Sequence, residues 1–115
     1  MKPYEQMAVR FAEALVDEDF EAAHALLAPA LAAELSVDDL CEQLHALLDL
    51  YDDAEAERAH FDPRFSYEDW PAKEPGDVGS AYVAIEGEGF AEAVDVVVAS
   101  LGGELRIRTI EWGRP

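Results

Sequence analysis

The chain has 115 residues, half of them hydrophobic, which is enough for one domain (residues 1–115) burying about 65% of its unfolded surface without metals or disulfides. Its formal charge of −18, from 26 acidic and 8 basic residues, argues against nucleic acid and anionic membranes as partners, since like charges repel. Cys41 is the single cysteine, so an intrachain disulfide is excluded and a reducing, cytoplasmic compartment is expected. The opening MKPYEQMAVRFAEALVDEDF lacks the apolar run of a signal peptide, and no stretch nears the ~20 apolar residues of a membrane span.

Pro3 suits a first helical turn, and Tyr4, Met7, Ala8, Phe11, Ala12 and Leu15 recur at three- and four-residue steps, so the spacing predicts a first amphipathic helix. Asp19 then caps a short helix from Phe20 to Ala28, which Pro29 ends, with one further turn or two as far as Leu35. Ser36, followed by Val37-Asp38-Asp39, is a strong start signal for a long helix reaching about Tyr51. Its stripe is Val37, Leu40, Cys41, Leu44, Leu47, Leu48 and Tyr51. The first 63 residues carry 16 acids and 3 bases (−13), and the rest 10 acids and 5 bases (−5). That acidity is either a solubilising surface or a face that docks a basic partner.

Arg58 to Tyr67 reads as an edge strand broken or bulged at Pro63, because proline cannot donate to a ladder. Trp70-Pro71 to Gly79 reads as an ordered loop. Three strands follow, at 80–87, 90–100 and 104–112, separated by Gly87-Glu88-Gly89 and Leu101-Gly102-Gly103, a meander with glycine-bearing hairpin turns. In the last strand Leu105 and Ile107 share one side, yet Ile110 and Trp112 occupy the other parity. Either a one-residue bulge near 108–110 re-aims the strand, or a second subunit covers part of the other face. The predicted architecture is therefore α+β, three N-terminal helices packed on a curved antiparallel sheet of about four strands.

Phe11 to Leu15, the run Asp19-Phe20-Glu21-Ala22-Ala23-His24-Ala25-Leu26-Leu27-Ala28-Pro29, and the closing Arg108-Thr109-Ile110-Glu111-Trp112 resemble the nuclear transport factor two-like superfamily of cystatin-like α+β cones. The resemblance implies a sheet wrapped around the long helix with a cavity at its wide end. It also implies a range of roles: isomerases, dehydratases, small-molecule binders, immunity proteins and dimerisation modules. Enzymes of that kind use an Asp, His or Tyr projecting into the cone.

Asp95, a carboxylate within a valine-rich strand, is the foremost candidate base. The plainer expectation is a cross-strand ion pair with Arg106 or Arg108 on the adjoining strand. His45 follows Cys41 and precedes Asp49 by one turn each, a spacing that a metal would need further ligands to use, and Cys41 belongs to the apolar stripe. His60 and His24 are expected at the surface or boundary rather than in a cavity, and His45 and His60 stand beside Asp95 as weak candidates for a catalytic base. Tyr51, Phe61, Phe65, Trp70, Tyr82, Phe90 and Trp112 suffice to line a small pocket or to fill the core. There is no phosphate-cradling loop, nucleophile elbow or metal motif, and so no cofactor, metal or catalytic residue is assigned. The expected function is a non-catalytic binding module, dimeric through the sheet face, with a basic protein partner such as an immunity-type inhibitor has. The alternatives are a small-molecule binder or isomerase/dehydratase-like enzyme, and a bare dimerisation fold.

Overall fold

A computed structural model of the chain describes residues 1–113. Four helices precede four strands: α1 (Pro3–Val16), α2 (Phe20–Ala25), α3 (Pro29–Glu34), α4 (Val37–Leu48), β1 (Arg58–Tyr67), β2 (Asp77–Gly87), β3 (Phe90–Leu101) and β4 (Glu104–Gly113). The strands form one curved antiparallel sheet in the order β1-β2-β3-β4, so the α+β arrangement of helices on a late meander is the one the sequence predicts. The turn or two expected after Pro29 is a helix of its own, α3.

Helix ends follow local chemistry. Glu5 Oε1 accepts from the Lys2 amide at 2.7 Å, and Asp19 Oδ1 accepts from the Ala22 amide at 3.1 Å. Ser36 and Asp39 cap reciprocally: Ser36 Oγ accepts from the Asp39 amide and Asp39 Oδ2 from the Ser36 amide, both at 3.0 Å. Helix α2 stops three residues short of Ala28 because residues 26–28 leave the helix to pair with β4. Ala28 N donates to Ile107 O at 2.7 Å and Ile107 N to Leu26 O at 2.9 Å. Helix α4 ends at Leu48, and Tyr51 lies in the turn beyond it.

The inner face of the sheet carries Ala81, Val83, Ile85, Val94, Val96, Val98 and Ile107, all fully buried against Phe11, Leu15, Leu40 and Leu44 of α1 and α4. This side is packed with side chains, except for an open hollow of about 680 Å³ at its β1 margin between Met1, Lys2, Glu5, Phe61 and Pro63. Glycines at positive φ, Gly102 and Gly103, make the two-residue turn between Leu101 and Glu104. In β4 the register slips by one: Val98 faces Ile107 and Val97 faces Thr109, leaving Arg108 as the extra residue of a bulge. This is the bulge that the parity change predicts, and it lets Ile107 and Ile110 both pack on the core.

Strand β1 is an edge, as expected from Pro63, and its irregularity is larger than one residue. Phe61 faces Val83 and Ser66 faces Ala81, so residues 62–65 stand opposite Tyr82 alone. No helix among the described residues is long and apolar enough to cross a membrane.

Candidate functional site

Side chains of β2 alternate between the packed face and an outer face that no helix covers among the described residues. Tyr82, Asp95 and Glu111 stand in a row across β2, β3 and β4 on that outer face. The loop 68–76 folds back beside them, and the wide bulge of β1 turns Phe65 outward, edge-on to Tyr82 with ring centroids 6.3 Å apart. The result is a pocket of about 620 Å³ with four aromatic walls, Phe65, Tyr67, Trp70 and Tyr82, closed at one side by Pro71. Its polar groups are Asp69, Ser80 and Asp95. A smaller hollow of about 110 Å³, bounded by His60, Asp62 and Glu86, continues it past Phe65 and Tyr82.

Ser80 is buried and its Oγ donates to Asp95 Oδ1 at 2.7 Å, which fixes the carboxylate over the pocket. The expected pairing of Asp95 with an arginine is not found, and register explains why. Asp95 faces Glu111, whereas Arg106 faces Ala99 and bonds Glu104 at 2.9 Å. Arg108, displaced by the bulge, instead forks onto Asp77 at 2.6 and 2.7 Å. Burial pushes the Tyr82 phenol above its ordinary pKa, and the charges of Asp95, Glu92 and Glu111 push it further, so Tyr82 remains a neutral hydroxyl in a negative field. The site can hold an apolar or planar body and offer it fixed negative charge.

The remaining sequence candidates are dispersed. Phe61 and Trp112 lie on the inner face and pack against the core, Trp112 donating from Nε1 to Gln43 Oε1 at 2.9 Å. Tyr51 also packs there, edge-on to Phe90, and donates to Glu92 Oε1 at 2.9 Å. Of the aromatic candidates, then, Phe65, Trp70 and Tyr82 are brought together and Tyr51, Phe61 and Trp112 are not. His60 lies exposed at the smaller hollow, and His24 Nε2 sits 3.1 Å from Ala32 O.

His45 is exposed on α4, with Nδ1 3.8 Å from Cys41 Sγ and Nε2 2.8 Å from Glu18 Oε1. Asp49, the third member of that series, is the C-cap of the helix. Among the described residues no group of three His, Cys, Asp or Glu side chains is arranged to hold a metal ion. Tyr67, Asp69 and Ser80 were not singled out by sequence. Tyr67 continues the alternation of β1, a usable signal, but only register brings Ser80 to Asp95. Comparison of the chain with protein-family models, with curated proteins and with solved structures finds no match.

Proposed function

We propose that the chain is a non-catalytic binding module whose outer sheet face docks a basic protein partner, in the manner of an immunity-type inhibitor. The observation that carries this is the combination at the pocket: Asp69 and Asp95 have no ion-pair partner among the described residues. Beside them Phe65 and Tyr67 leave 44% and 46% of their surface in solvent. Exposed rings flanked by unneutralised acids suit an interface better than a solubilising surface, which carries its charge without apolar patches. The charge of −18 then steers a basic partner inward and repels acidic competitors. Self-association through the sheet face, expected from the sequence alongside the partner, has to bring two negatively charged copies together. The order of helices before meander supports kinship with the nuclear transport factor two-like cones, and the single cysteine supports a cytoplasmic setting.

A second reading, a small-molecule binder or isomerase/dehydratase-like enzyme, draws on the pocket volume of about 620 Å³, within the range of ligand sites, and on the Ser80-held carboxylate. Native mass spectrometry of the protein purified gently from its host at low ionic strength separates the two. A strongly basic polypeptide that leaves on raising salt, and rebinds when purified, is the expected result. A retained mass of ligand size favours the second reading, and a bare chain or a bare homodimer overturns the first.

A further inference from the structure

The acids around the pocket are not equivalent. Asp62 is matched by Arg64 at 2.6 Å, and Glu86 approaches Arg58 at 3.8 Å, so both acids of the smaller hollow have a cationic neighbour. Asp69 and Asp95, which line the larger pocket, are matched by no cation among the described residues. Asp95 Oδ1 is occupied by Ser80, while Oδ2 takes no hydrogen bond from a described residue. The rings are already used as cation seats at their margins. The Arg64 guanidinium lies 5.8 Å over Phe65 and the Lys73 ammonium 5.8 Å over Trp70, yet both are tethered elsewhere, to Asp62 and to Glu68 O.

We propose that the pocket receives an arginine side chain of the basic partner, its guanidinium bound by the Asp95 carboxylate and laid against the aromatic walls. This rests on the basic-partner function proposed above. Three features favour arginine. A planar guanidinium stacks on rings and forks onto a carboxylate, whereas an ammonium is a compact, strongly hydrated charge. The guanidinium charge is more weakly hydrated than an ammonium's, so less hydration is lost when the pocket encloses it. And the half-exposed Phe65 and Tyr67 beside the pocket are covered only by something broader than a free cation, which places the guanidinium on a protein surface.

The test uses fluorescently labelled nona-arginine and nona-lysine, equal in charge, with the intact protein at low ionic strength, measured by anisotropy. The expected result is nona-arginine binding about tenfold tighter than nona-lysine. Asp95→Asn and Tyr67→Ala should each erase that preference while leaving the melting transition in place. Glu21→Gln, which removes the same charge from exposed α2, should retain it. Equal binding of the two peptides, or a preference that survives both pocket variants, overturns the arginine assignment and leaves the basic-partner function standing. Binding of neither peptide overturns both. A homodimer in sedimentation that Phe65→Ala and Tyr67→Ala dissociate shows that a second copy occupies the face, and overturns the assignment as well.

Discussion

Arg108, the extra residue of the β4 bulge, reaches over β3 to grip Asp77 at the start of β2, donating from Nε to Oδ1 and from Nη2 to Oδ2. Asp77 has no side-chain exposure and Arg108 only 27%, and Glu74 adds a third bond to Arg108 at 2.8 Å. Breaking such a pair strands a buried charge. Arg108→Ala is therefore expected to lower unfolding free energy by about 2–4 kcal/mol in urea titrations, well beyond the effect of an ordinary surface ion pair.

The same pair sets an acid limit. Burial alone would raise the Asp77 pKa, but the Arg108 bonds and the Glu74 amide outweigh it and hold the carboxyl below its ordinary value. A depressed folded-state pKa stabilises the fold fully above the unfolded value of about 3.9, and that contribution disappears as pH falls through the folded value. Urea midpoints should fall below about pH 4, and Asp77→Asn should show a shallower fall over that window. Equal slopes in the two proteins would remove Asp77 from the explanation.

Asp62 offers a local check on the β1 bulge. The Arg64 side chain, then its backbone N–H, hold the carboxyl at a pKa of about 2. Carboxyl-carbon NMR should find that midpoint in the wild type and, in Arg64→Ala, a return toward about 3.9. An unchanged midpoint would mean that residues 62–65 do not hold Arg64 on Asp62.

Gly79 is where β2 passes under α1. A Cβ built there overlaps the ring of Tyr4, which is buried and hydrogen-bonded through its hydroxyl to Ser66. The ring would have to shift from its buried, Ser66-bonded position, so Gly79→Ala should destabilise by about 1–3 kcal/mol, the usual range for overpacking. Ser36→Ala, which removes one half of a reciprocal cap, should lose about 1 kcal/mol. Thermal or urea unfolding measures both.

Phe65 and Tyr67 should behave differently from every residue above. Being half in solvent, Phe65→Ala and Tyr67→Ala are expected to change stability by no more than about 0.5 kcal/mol while abolishing partner binding. A large stability loss from either would make the rings structural.

Much of the fold was legible because hydrophobic period and turn chemistry agree along the chain. The β4 bulge could be read from one fact, that Leu105 and Ile107 share a parity which Ile110 and Trp112 reverse. The site was less legible, for a reason of counting. Phe61 and Phe65 are four residues apart and should share a face, yet four residues of β1 oppose one of β2, so Phe61 turns into the core and Phe65 out to the pocket. The Asp95 partner failed similarly: proximity of two strands in sequence does not fix which residues face one another, and a single slipped residue sent Arg108 to Asp77. The bulge at Pro63 announces itself, but its width does not.

Two backbone bonds between residues 26–28 and Ile107 tie the helical layer directly to the last strand. The Ile107 amide donates to the connection between α2 and α3, not to another strand. Its hydrogen exchange therefore reports on the helices from within the sheet. If those helices opened on their own, this amide would exchange with them while its β3 neighbours stayed protected, and if the domain opens as a whole, all will exchange together.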